Sequence, residues 1–219
     1  MYRLLTAVIL WQSTLAQSLI DTITGPASTM KQLAETASQV IKKSSYPVNK
    51  WTLLKKYPDE FKLKGASIVS YENKLIIFGG CREDLTCSNS IYSFDIDLEK
   101  LEEIGAVGDR PSPRQGHCAI SYGEEMIIFG GSNEIGVYDD MYIFDMKYYY
   151  WKRIEAKGVN PGPRSYHGCV LDQNQRLITF GGYTGLDYTN SVYSYQLLTN
   201  TWRTHILSGE APNPRSSFS

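Results

Sequence analysis

At 219 residues the chain is long for one compact module and short for two, which suggests one domain with appendages. Its 22 Lys and Arg stand against 23 Asp and Glu, so it carries no electrostatic footprint for nucleic acid or an anionic membrane surface. With 42% hydrophobic and 12% aromatic residues the chain can build a core, and four cysteines are too few for a disulfide-stapled miniprotein. The unusual counts are 16 Tyr and 18 Gly. Both rise where short strands meet tight turns, since Tyr fits a half-buried pleated surface and Gly supplies positive φ.

Residues 1–18 have the form of a signal peptide. Met1-Tyr2-Arg3 carries one positive charge, Leu4 to Trp11 is almost wholly apolar, and Ala16-Gln17-Ser18 places small residues where a signal peptidase cuts. The other reading is a buried N-terminal strand or helix. The apolar stretch falls far short of the roughly 20 residues that span a bilayer, and no later segment qualifies, so no transmembrane span is expected. The expected location is secreted or in the secretory pathway. The alternative is cytoplasmic, because none of the nine Asn has Ser or Thr two positions on to make a glycosylation acceptor.

Residues 19–48 read as a linker with one short amphipathic helix. Thr29-Met30-Lys31-Gln32 has the form of a capping box; Met30, Leu33, Ala37, Val40 and Ile41 recur at helical spacing; Tyr46-Pro47 ends the run.

From there an internal repeat dominates. Leu75-Ile76-Ile77-Phe78 runs into Gly79-Gly80, Met126-Ile127-Ile128-Phe129 into Gly130-Gly131, and Leu177-Ile178-Thr179-Phe180 into Gly181-Gly182, each diglycine 51 residues after the last. Gly-x-x-Pro-x-Pro-Arg begins at Gly108, Gly158 and Gly209 and ends at Arg114, Arg164 and Arg215. An aromatic strand carries Tyr92, Tyr142 and Tyr193, and Trp151 and Trp202 each stand 21 residues beyond their diglycine. The second unit contains four strand-sized runs: His117 to Tyr122, Met126 to Phe129, Met141 to Asp145 and Trp151 to Glu155. Four short antiparallel strands repeating near 50 residues make a propeller blade, and the fold class is all-β.

These residues closely resemble the kelch repeat, with its apolar strand ending in Gly-Gly, its following Tyr, and its Trp about twenty residues on. Pro113-Arg114-Gln115-Gly116-His117 and Pro163-Arg164-Ser165-Tyr166-His167 match the same family. The resemblance covers residues 49–219 and implies a kelch-type β-propeller related to the central domain of galactose oxidase, with the strand after each Pro-Arg innermost and the Trp strand outermost. Repeats run at about 65–107, 113–157 and 163–207, with a fourth opening at 213. The first is degenerate, with Leu63 in place of Arg114, Ala66 in place of His117 and Lys100 in place of Trp. Trp51 marks an orphan outer strand of a blade that begins elsewhere. The propeller is therefore incomplete, and we expect closure by further C-terminal blades or, failing that, by dimerisation.

No residue cluster points to catalysis. His117 and His167 occupy equivalent places in separate blades instead of converging on one point, so both are read as structural and no metal or other cofactor is expected. Arg114 and Arg164 are read as packing between blades and contacting carbonyls. No nucleophile elbow or phosphate-cradling loop is present, and the copper site of galactose oxidase has no counterpart. Cys81 and Cys87 bracket a short loop and are spaced to form a disulfide. Cys118 and Cys169 lie one and two residues after their His, on opposite sides of equivalent strands, and read as buried thiols, not as a pair.

Function is therefore sought in the loops between second and third strands, Cys81 to Asn89, Ser132 to Asp140 and Tyr183 to Asn190, which vary while the strands repeat. Arg82, Glu83, Asp84, Asn133, Glu134, Tyr183, Leu186 and Asp187 are the candidate binding residues. The expected function is a non-catalytic scaffold for protein–protein interaction. The alternatives are a fragment of a kelch or galactose-oxidase-like enzyme, or a carbohydrate-binding propeller, with the active residues in other blades.

Overall fold

The computed structural model describes residues 62–206 and 208–217; the signal peptide, linker helix and Trp51 strand read from the sequence lie outside them. The described residues form three sheets in succession. Blade 1 comprises β1 (Ser67–Tyr71), β2 (Lys74–Phe78), β3 (Ile91–Asp95) and β4 (Lys100–Glu103). Blade 2 comprises β5 (Val107–Gly108), β6 (Cys118–Tyr122), β7 (Glu125–Phe129), β8 (Met141–Asp145) and β9 (Tyr150–Ile154). Blade 3 comprises β10 (Lys157–Gly158), β11 (Gly168–Leu171), β12 (Arg176–Phe180), β13 (Val192–Gln196) and β14 (Thr201–His205). Each blade has four antiparallel strands in sequence order. No helix appears among the described residues, whose three successive sheets have the all-β architecture of an incomplete β-propeller.

The second and third blades each gain a two-residue strand, β5 or β10, running parallel to the outermost strand. It comes from the Gly that opens the Gly-x-x-Pro-x-Pro-Arg motif. Gly108 pairs with Trp151 at φ +91, and a side chain there would collide with the Trp151 carbonyl oxygen. Two residues carry no alternation, so this strand leaves no mark in the hydrophobic pattern.

Blade 2 is sandwiched, and β7 records it. Alternate side chains of a strand point to opposite faces. Met126 and Ile128 accordingly join Val69, Ile76 and Phe78 in the core shared with blade 1, while Ile127 and Phe129 join Leu177, Tyr195 and Trp202 in the core shared with blade 3. Each such side chain contributes roughly 1.5–3 kcal/mol on leaving water.

The same geometry corrects the reading of the second cysteine pair. Cys118 and Cys169 are joined by a disulfide, with Cα atoms 5.9 Å apart. They do lie on opposite faces, since the register places Gly168, not Cys169, opposite Phe180 where Cys118 stands opposite Phe129. Consecutive blades, however, stack with opposite faces together. The face of β6 turned forward meets the face of β11 turned back, and the two sulfurs meet between them.

Candidate functional site

The recurrent arginines tie the blades together. The Gly80, Gly131 and Gly182 amides donate to the carbonyls of Arg114, Arg164 and Arg215, each in the following repeat. The guanidinium then reaches forward to its own repeat's diglycine: Arg114 Nη1 donates to the Gly130 carbonyl at 2.9 Å and Arg164 Nη1 to the Gly181 carbonyl at 3.1 Å. Diglycine and Pro-Arg recur in phase because Arg114 and Arg164 each link two diglycines. Gly130 itself has φ +67, and a Cβ there would sit 2.5 Å from the Arg164 carbonyl oxygen.

Arg114 also forms a two-point ion pair with Asp140 and lies over the Tyr138 ring. Arg164 has three carbonyl partners, those of Pro161, Gly162 and Gly181, and its guanidinium lies over Tyr193. Burial pushes the Arg164 guanidinium below the ordinary arginine value. Both side chains are committed to packing, which leaves no fork free for an anion.

The aromatics fill the wedges. Phe78 of blade 1 meets His117 and Trp151 of blade 2, and Phe129 of blade 2 repeats this with His167 and Trp202 of blade 3. Burial followed by the neighbouring arginine lowers both imidazoles to about 3, so both are neutral. The Ser67 hydroxyl lies 2.6 Å from His117 Nε2, whereas both ring nitrogens of His167 are buried without a partner.

The loops joining second and third strands are small built hairpins. Bridge pairs Cys81–Cys87, Ser132–Val137 and Tyr183–Tyr188 occupy equivalent positions. Each is closed differently: blade 1 has a disulfide and blade 3 an aromatic contact of 5.6 Å. Backbone bonds close the tips, from Arg82 to Thr86, Asn133 to Gly136 and Thr184 to Asp187.

Asn133 and Tyr183 serve these turns. Asn133 accepts from Ile135 and donates to the Pro113 carbonyl, and the Tyr183 hydroxyl donates to the Gly185 carbonyl. Arg82, Glu83, Asp84, Glu134, Leu186 and Asp187 are exposed. The structure adds Leu85 and Ile135, which the sequence reading passed over. Leu85, Ile135 and Leu186 are 67%, 83% and 95% exposed, one at each tip. Their spacings of 50 and 51 residues were the available signal.

A cleft of about 210 Å³ lined by Asp139, Asp140, Arg153, Glu155 and Trp202 falls below the roughly 300–1,000 Å³ of ordinary ligand sites. No group of three or more His, Cys, Asp or Glu side chains comes together among the described residues. No helix among them is long and apolar enough to cross a membrane.

The chain matches the KLHDC2/KLHL20/DRC7 Kelch-repeats domain over residues 49–219. It is similar to acyl-CoA-binding domain-containing protein 5 of Arabidopsis thaliana, 29% identical over 153 residues that cover 69% of this chain and 24% of that protein. It is also similar to the leucine-zipper-like transcriptional regulator 1 homolog of Drosophila melanogaster, 31% identical over 141 residues, covering 61% of this chain and 14% of the relative. With the Rho GTPase-activating protein gacHH of Dictyostelium discoideum the identity is 34% over 118 residues, covering 50% and 8%. The chain thus spans at most 24% of the length of these relatives. Their names are varied and give no specific function.

Proposed function

From the premise that this chain belongs to the kelch-repeat family, we propose that it is a non-catalytic protein-interaction scaffold that binds through its second-to-third-strand loops. One observation carries the reading. Three loops of unlike sequence each hold an exposed aliphatic side chain at the tip of a closed turn. Folding gains nothing from an exposed Leu or Ile there, while a partner that covers all three gains their apolar area. An acidic residue adjoins each: Asp84 beside Leu85, Glu134 beside Ile135 and Asp187 beside Leu186. Arg82 is the basic residue among the loop tips. The matching partner surface is apolar with Lys or Arg at its margin.

The test is site-specific photo-cross-linking. A photoreactive residue at 85, 135 or 186 should yield protein adducts that diminish with added salt and with Ile135→Ser plus Leu186→Ser. Adducts forming instead from the opposite turns, at 98 or 148, would overturn the assignment of the face. Turnover by the purified chain of any substrate unaffected by those substitutions would overturn the non-catalytic reading.

A further inference from the structure

Cys118 stands where Ser67 stands one repeat earlier, and His167 stands where His117 does. Between blades 1 and 2 that pair of positions forms a hydrogen bond, Ser67 Oγ to His117 Nε2 at 2.6 Å. Between blades 2 and 3 it does not. Cys118 is bonded to Cys169, and His167 is buried with both ring nitrogens unpartnered. A buried polar group without a partner is uncommon because its lost hydration is not replaced. His167 and Cys169 are two residues apart in an extended segment, so both side chains point toward blade 2, where His167 meets Phe129. Cys118 and His167 thus hold the positions of the Ser67–His117 hydrogen bond while Cys118 is bonded to Cys169 instead.

We propose that Cys118 and Cys169 form a redox-modification site in which Cys118 exchanges partners, bonding to Cys169 when oxidised and hydrogen-bonding to the His167 imidazole when reduced. The reductant is a dithiol. Its first thiolate attacks the sulfur of half-buried Cys169, forming a mixed disulfide and breaking the bond to Cys118, which is only 4% exposed. The electron pair of that bond leaves on Cys118 as thiolate. A ring N–H of His167 is the donor placed to stabilise it. The second thiolate of the reductant then attacks the mixed disulfide, expels Cys169 and departs as a disulfide. Two electrons pass from reductant to protein, and the two protons lost by the dithiol end on Cys118 and Cys169. The inner strands β6 and β11 exchange a covalent tie for a hydrogen bond, and the reduced interface comes to match that between blades 1 and 2.

Dithiothreitol acting on the full chain tests this, with Cys81–Cys87 as internal reference. Reduction of the wild-type protein should move the His167 imidazole nitrogen resonances while leaving those of His117 in place. Quenched alkylation should show the Cys118–Cys169 bond reduced about tenfold more slowly in His167→Phe, which keeps a ring against Phe129, with the Cys81–Cys87 rate unchanged. Unmoved His167 resonances on full reduction would overturn the proposal, as would equal rates in the two proteins. Should His167→Phe fail to fold, the resonance measurement on the wild-type chain decides alone.

Discussion

Arg114 and Arg164 occupy one position in two blades, yet only Arg114 meets a carboxylate. The residue equivalent to Asp140 in blade 3 is Ser191, as the amides of Gly130 and Gly181 show by donating to their respective carbonyls. The Arg114 side chain is wholly buried and that of Asp140 is 15% exposed, so removing the carboxylate leaves a buried cation without its counter-charge. Asp140→Asn should cost about 3 kcal/mol in urea unfolding, whereas Ser191→Ala should cost less than about 1 kcal/mol. The histidines predict a pH dependence. His117 and His167 titrate near 3 in the folded chain against 6.5 as the ordinary value. Between those limits the unfolded chain binds more protons, so their stabilisation is complete above about pH 6.5 and declines as pH falls toward 3. The slope approaches about 1.4 kcal/mol per pH unit for each histidine. Unfolding midpoints measured from pH 4 to 7 should show a slope shallower by about one proton in His167→Phe.

At the scale of the element, the diglycine is the feature whose physical demand is sharpest. Gly130 and Gly123 have similar backbone angles, φ +67 and +60, but Gly130 abuts the Arg164 carbonyl while Gly123 has nothing within 4 Å of a built Cβ. Gly123→Ala should therefore cost about 1–2 kcal/mol from backbone conformation alone. Gly130→Ala should cost more, roughly 3–4 kcal/mol, because the interblade hydrogen bond must also shift. Equal losses in thermal unfolding would show that the collision is relieved without cost. The antiparallel strands were legible because their apolar runs end at phased Gly, Pro and Asn signals. The loop tips were legible as loops, since they vary in sequence. The aliphatics Leu85 and Ile135 were legible in principle through their 50- and 51-residue spacing with Leu186, whereas the turn-closing roles of Asn133 and Tyr183 were not, because side-chain direction at a turn depends on the backbone bonds of that turn.

For the molecule as a whole, what matters is which sheet faces are covered. Ile120 of β6 lies between blades 2 and 3 at 7% exposure, while its counterpart Val170 of β11 is 59% exposed on the side of blade 3 turned away from blade 2. Ile120→Ser should cost about 2–4 kcal/mol and Val170→Ser within about 0.5 kcal/mol in this chain, measured by urea unfolding. The interblade disulfide closes a separation of 51 residues, and replacing both cysteines by Ala should lower stability by about 4 kcal/mol on the chain-entropy account. The Cys118→Ser, Cys169→Ser pair should lose about 1 kcal/mol less, since a hydroxyl at 118 restores to His167 the bond that Ser67 makes to His117.

The innermost place of the Pro-Arg strand came from the family resemblance. The sequence by itself determined the blade: its period, its four antiparallel strands, and the opposite faces of Cys118 and Cys169, because alternation along a strand and phased glycines are local properties. It placed Cys118 and Cys169 on opposite faces, correctly. Only the tertiary structure decided that they meet. A strand's faces follow from its own residues, but what lies against each face follows from how one sheet stacks on the next, where the front of β6 closes on the back of β11.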